Sequence, residues 1–294
     1  MTLYSHQDSN IRKTWFLMFS FFVLVAVVSW FISEIYGTPE ILFVAVFIAV
    51  FINFISYWYS DKIVLSIAGA KSATRAEYFD LWNAVENLSI TAGLPIPKIY
   101  VIPDSVPNAF ATGRDPKHAV VAVSVGLLEI LNKNELEGVI AHELSHIGNR
   151  DILISTVVVV LAGFIAILSD FFLRFGFRGG RDNEKGGGAL AILGLIMIIL
   201  APIAATIIKL AVSRKREFLA DSTGALLTRY PEGLASALEK ISAHSGKMNR
   251  ASHATAHLYI ANPFGGKKVA SFLDKMFSTH PPIEERINIL RKNA

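Results

Sequence analysis

Four long apolar blocks alternate with polar chain in this sequence, and their lengths predict membrane helices. Thr14–Ile35 carries one charge, Glu34 near its end, and Ile41–Tyr59 carries none. Ile152–Phe172 is interrupted only by Asp170, and Ala189–Val212 only by Lys209, whose long stem can snorkel to an interface. At a rise of about 1.5 Å per residue, each block can cross a hydrocarbon core of about 30 Å. The expectation is four transmembrane helices in two hairpins. Packing four such blocks as buried helices of a soluble protein would need far more polar chain than is present. The first block reads as a retained anchor: it is longer than the roughly 7–15 apolar residues of a leader, and no small-x-small cleavage site follows it.

The remaining chain divides into a tail (residues 1–13) and two polar segments, 60–151 and 213–294, separated by the hairpins 14–59 and 152–212. A hairpin returns the chain to the side it left, so the two segments can meet in one domain. Leu81, Val85, Leu88 and Ala92 recur with helical spacing and predict a helix over Arg75–Ala92. Lys98–Ile102, Asn108–Thr112 and Ala119–Ser124 read as short strands between Pro, Asp and Gly turns. Leu136, Val139, Ile140, Leu144 and Ile147 form an apolar stripe, with Asn134 as expected N-cap, Glu137 as its capping-box partner and Gly148 and Asn149 as left-handed stops. Arg214–Thr228, Glu232–Ser242 and Pro282–Lys292 complete a fold that is mainly α with a small β-sheet.

The stripe helix carries His142-Glu143-Leu144-Ser145-His146. Residues four apart share a helix face, so both imidazoles can reach one metal ion, and Glu143 projects near the position of an attacking water. A catalytic zinc site needs a third protein ligand. The metzincin continuation fails, because Asn149 and Ile152 occupy its Gly and His positions. Glu217, in Arg214-Lys215-Arg216-Glu217-Phe218-Leu219-Ala220-Asp221, lies just past the fourth block on the same side as His142. By spacing alone it is either the third ligand or an ordinary ion-pair member. Asp221, one turn later, can accept a hydrogen bond from a ligand imidazole.

Composition narrows the setting. The chain is 52% hydrophobic and 18% charged, and has no cysteine, which excludes disulfides and thiolate metal sites. A net charge of +4 suits anionic lipid headgroups, and no interleaving of aromatic and basic residues points to nucleic acid. Arg12 and Lys13 before the first block, Lys62, Lys71 and Arg75 after the second, and Arg214–Arg216 after the fourth place both polar segments in the cytoplasm. Leu173–Gly188 disagrees, with Arg174, Arg178, Arg181 and Lys185 in a loop that four crossings put outside. Either the second hairpin does not cross fully, or this loop tolerates its charge. His253 and His257, four apart, read as a solvated face rather than a metal pair, His118 as a turn residue, and Asn53 as a helix–helix contact.

Together, His142-Glu143-x-x-His146 and Glu217-x-x-x-Asp221 between apolar blocks resemble the HtpX-type membrane zinc endopeptidases, relatives of the CAAX prenyl protein endopeptidases. Asn108-Ala109-Phe110-Ala111-Thr112-Gly113, Gly126-Leu127-Leu128 and Thr279-His280-Pro281-Pro282 with Arg286 extend the resemblance over nearly the whole chain. It implies a gluzincin-like zinc metalloprotease domain with one Zn2+ on His142, His146 and Glu217. It further implies Glu143 as catalytic base, His280 as donor to the developing oxyanion, and Asn108, Ala109, Phe110, Ala111 and Thr112 as a substrate-binding edge strand. Asn108 at the site rim is a second candidate oxyanion donor. The implied role is cleavage of unfolded or damaged membrane proteins in a bacterial inner membrane. Two other classes remain open at this point. A zinc-stabilised scaffold would have no use for Glu143, and a transporter would carry paired intramembrane charges that these blocks lack.

Overall fold

The computed structural model describes residues 3–176, 214–244, 246–252, 254–265 and 281–292. The fourth apolar block, most of the basic loop, His253 and His280 lie outside them.

Helix α1 (Leu3–Tyr36) includes residues 3–13, so the stretch read as a tail forms its first turns. Gly37, at φ +63°, turns the chain into α2 (Glu40–Trp58). Gln7–Glu34 and Glu40–Trp58 are both long and apolar enough to cross a membrane. Their outer faces are exposed phenylalanines and valines, as lipid contact requires. Asn53 does not make the expected interhelical bond: its side-chain oxygen is buried without a hydrogen-bond partner among the described residues.

The polar segment that follows builds α3 (Ser60–Ala68), β1 (Lys71–Ser72), α4 (Phe79–Ala92), β2 (Lys98–Ile102), β3 (Ala109–Thr112), β4 (Val120–Ser124), α5 (Val125–Ile130) and α6 (Lys133–Gly148). Helix α4 begins four residues later than expected, because Thr74 and Glu77 close a turn through their side chains at 2.7 Å. The sheet order is β1-β2-β4-β3, with β2 and β4 parallel and both outer pairings antiparallel. Strand β3 is therefore an edge in the described sheet.

The cap of α6 differs from expectation. Asn132, not Asn134, is the N-cap, and Glu135, not Glu137, completes the capping box. The sequence holds both Asn-x-x-Glu frames in overlap. The Asn132 frame prevails because Glu135 is also bound by Ser236 and Lys240, each at 2.7 Å. The left-handed stop is Arg150 at φ +58°, whereas Asn149 is right-handed. There the chain bends by 83° into α7 (Asp151–Gly176), the third apolar block.

The second polar segment supplies α8 (Arg214–Thr228), α9 (Pro231–Ala243) and α10 (Ile283–Lys292). One core joins these helices to α4, α6 and the sheet through Val85, Val121, Ile140, Leu144 and Leu238. A second core seats α7 on α1 through Phe21, Leu17, Val157 and Leu161. In the first core each such side chain contributes about 1.5–3 kcal/mol by leaving water, whereas between α1 and α7 close packing against an equally apolar lipid supplies the gain. Gly138 sets the closest crossing: a Cβ there would stand 2.6 Å from the Leu234 backbone nitrogen, so α6 and α9 meet main chain to main chain.

Candidate metal centre

Helical spacing on α6 brings the His142 and His146 rings to 4.7 Å between centroids, with their Nε2 atoms 3.2 Å apart. Helix α8 crosses α6 where Gly224 lies against His142; a Cβ at Gly224 would approach the His142 nitrogen to 3.0 Å. Two turns earlier on α8, Glu217 therefore comes over the histidine face. Its carboxylate oxygens lie 3.8 Å from His142 Nε2 and 3.6 Å from His146 Nε2. Ligand atoms from the three side chains all fall within 4.8 Å of one another.

The outer ring nitrogens are held by carboxylates. Asp221 Oδ1 lies 2.9 Å from His142 Nδ1, and Asp151 Oδ2 lies 3.0 Å from His146 Nδ1. A carboxylate at Nδ1 assigns the proton to that nitrogen and leaves the Nε2 lone pair free to coordinate. The two Nε2 atoms then face each other beside the Glu217 carboxylate, an arrangement that needs positive charge among them, either a proton on His146 or a metal ion in its place. Burial opposes a charged His146, but the Asp151 hydrogen bond and the negative charge of Glu217 outweigh it and raise its pKa to about 9. Two imidazoles and one carboxylate are the donor set that zinc takes, so the residues present fit a divalent metal.

A third layer fixes these carboxylates. Arg286, fully buried, clamps Asp221 with Nε at 2.9 Å and Nη2 at 2.6 Å. Burial works against the Asp221 carboxylate, yet the Arg286 charge and the His142 bond bring its pKa down to about 2. Asn10 of α1 donates to Asp151 Oδ1 at 2.7 Å and to the Asn149 carbonyl at 3.1 Å. Arg216 Nε stands 3.8 Å from the same Asp151 oxygen. Asp151, Asn10 and the clamp by Arg286 were not anticipated from sequence, because each depends on a contact between distant segments.

Glu143 is buried one residue from His142. Burial pushes its pKa above the usual range, against the partial offset of the two histidines.

The strand residues are placed as follows. Asn108 is tied into the fold: its amide donates to the Ala261 carbonyl at 2.9 Å and its oxygen accepts from the Ala261 N–H at 3.2 Å. That occupies the groups an oxyanion donor would need, so the sequence expectation for Asn108 at the rim is corrected. Phe110 and Thr112 face β4 in the ladder, while Ala109 and Ala111 turn their main chain outward. Ile260 donates to the Ala109 carbonyl at 3.0 Å, and all four residues of β3 are buried. His257 is not solvated as expected; it is buried, with Nε2 at 3.1 Å from the Ser155 carbonyl on α7. His118 does sit in a turn, bound to Asp115.

Residues 76–294 match the profile of Peptidase family M48. The chain belongs to that family. A Protease HtpX homolog from Dictyoglomus turgidum is 50% identical over 291 residues, covering 99% of this chain and 94% of that protein. Another from Pyrococcus furiosus is 51% identical over 265 residues, covering 90% of each. The crystal structure of S. mikatae Ste24p superposes with a TM-score of 0.50 at 17% identity. That match covers 93% of this chain and 62% of the longer one, and it shows a shared fold. This M48 peptidase is thus a metalloprotease whose histidine motif, third acidic residue and carboxylate supports lie in one buried cluster.

Proposed function

We propose that this peptidase holds one zinc ion on His142, His146 and Glu217 and hydrolyses peptide bonds in unfolded or damaged membrane proteins. The observation that carries the reading is the convergence of two carboxylate-supported imidazoles on Glu217, from a helix more than seventy residues later. A third ligand from a second helix is the gluzincin arrangement. Zinc, when bound, supplies a Lewis acid that polarises the scissile carbonyl and acidifies water.

The chain's own residues do the rest. Glu143 takes a proton from the attacking water and delivers it to the leaving amine. Its burial raises its pKa and so makes it a stronger base toward that water. The substrate adds as a strand beside β3, pairing with main chain of the stretch Asn108–Thr112. Main-chain pairing reads little side-chain identity, which suits varied damaged substrates. His280 remains the proposed oxyanion donor, on the family resemblance.

The proposed setting is a bacterial inner membrane crossed four times, with residues 60–151 and 213–294 forming one cytoplasmic catalytic domain between the hairpins 14–59 and 152–212. Two apolar helices, and the seat of α7 on α1, support it. The role is membrane protein quality control. The test is cleavage of an unfolded model protein by the detergent-purified chain, lost with a chelator and restored by zinc. Metal-independent cleavage, or none with zinc restored, overturns the reading.

A further inference from the structure

A cavity of about 600 Å³ opens where the apolar face of α2 ends. Phe47, Phe51 and Phe54 are exposed at helical spacing on that face, and Trp58 continues the same stripe. Beyond Trp58 the lining turns basic. Lys62 comes from α3, Lys98 from the start of β2, and Arg114 and Lys117 from the turn between β3 and β4. Four cations from three separate parts of the chain thus converge on one hollow, against one lining carboxylate, Asp61. A second carboxylate, Asp115, stands 3.5 Å from Arg114 Nε but is shared with His118. Lys62, Lys98 and Lys117 make no ion pair among the described residues. The Arg114 guanidinium lies 4.6 Å from the Trp58 ring centroid, and Lys62 Nζ lies 5.1 Å from that of Tyr59.

We propose that this hollow binds the headgroup of an anionic phospholipid, with its acyl chains laid along the phenylalanine stripe of α2. The order of the surfaces matches the order of the ligand: apolar stripe, then the Trp58–Tyr59 pair at the level where interfacial aromatics settle, then cations at phosphate depth. Arginine offers a planar fork that meets phosphate oxygens in pairs, and its stacking on Trp58 holds that fork in place. A zwitterionic lipid brings its own ammonium into the same cationic hollow and is disfavoured. Each cation near an anionic headgroup is worth about a five-fold preference. Arg114 and Lys117 sit on the turn that ends β3, so a bound headgroup ties the proposed substrate strand to the bilayer surface.

The inference rests on α2 crossing the bilayer and does not depend on the peptidase chemistry, so its readout is lipid binding. Native mass spectrometry of the full chain released from detergent compares retention of phosphatidylglycerol and phosphatidylcholine with identical acyl chains. The expected result is retention of phosphatidylglycerol over phosphatidylcholine by about ten-fold or more. Arg114→Gln with Lys117→Gln lowers the ratio by about five-fold or more, while Arg114→Lys keeps most of it. Should the double variant fail to fold, Lys62→Gln with Lys98→Gln reads the same hollow from its other side. Equal retention of both lipids, or a ratio unchanged in the folded variants, overturns the proposal. Displacement of phosphatidylglycerol by inorganic phosphate overturns it in favour of a soluble anion. Retention of neither lipid overturns both the site and the span reading of α2.

Discussion

Asp151 opens α7 with its Oδ2 3.0 Å from His146 Nδ1, so the helix that forms the third apolar block starts on the candidate metal centre itself. Asn10, from the first helix, donates to the other oxygen of the same carboxylate at 2.7 Å. Two of the apolar helices therefore meet the candidate ligand set through one side chain. Asp151→Ala should weaken zinc affinity by about 10–100-fold, the usual loss when a ligand imidazole loses its carboxylate. Asn10→Ala should give a smaller loss in the same direction. Titration with a metal-buffered series checks both, and unchanged affinity in Asp151→Ala would assign the contact to packing alone.

Arg286 is the buried counter-charge of Asp221. Arg286→Ala leaves a carboxylate without its partner in the core and should cost about 3–5 kcal/mol. Thermal unfolding in detergent should show a lower midpoint, with Arg286→Lys intermediate because a point charge cannot reproduce the two-pronged clamp. Equal midpoints for parent and Arg286→Ala would contradict the clamp.

Glu135 links the cap of the motif helix to α9 through Lys240. Burial opposes its charge, but the Lys240 and Asn132 hydrogen bonds hold its pKa below the usual 4.5. A depressed folded pKa contributes stability that is present above the unfolded value and is lost as pH falls through the folded one. The parent should therefore exceed Glu135→Gln in stability at pH 7, and this margin should shrink on acidification below about 4.5. Melting curves of both proteins across that range decide it; a margin that grows in acid reverses the sign.

Gly138 lets α6 and α9 touch through their backbones. Gly138→Ala forces the helices apart and should destabilise by about 1–3 kcal/mol, with Gly138→Val worse. A midpoint equal to that of the parent in both variants would mean that the crossing is looser than the 2.6 Å approach implies.

Local patterns carried much of the fold. Strand β2 and helix α8 fall where alternation and periodicity put them, since both are bounded by strong turn or polar signals. Helix α3 was not anticipated, because it follows α2 after only Tyr59, with no glycine or proline to mark a new element. Strand β1 was missed as well: its two exposed residues are a strand only by pairing with Tyr100 and Val101. The cap of α6 shows the limit sharply. Two overlapping Asn-x-x-Glu frames are equal in sequence, and Lys240, more than a hundred residues away, selects between them. The site follows the same division. His142, Glu143 and His146 are legible because one helix spaces them. Glu217 is legible only beside a family pattern, and Asp151 and Asn10 only once α1, α6 and α7 are packed together.

The most direct test pairs metal content with cleavage in Glu143→Gln. That carboxylate is not one of the three candidate ligands, so its conversion to the amide should leave zinc bound at one per chain. Cleavage of an unfolded substrate should fall by about 10²–10⁴-fold, the range for removal of a general base. Substantial cleavage by a zinc-loaded Glu143→Gln protein would contradict the assignment of Glu143, and with it the account of this site.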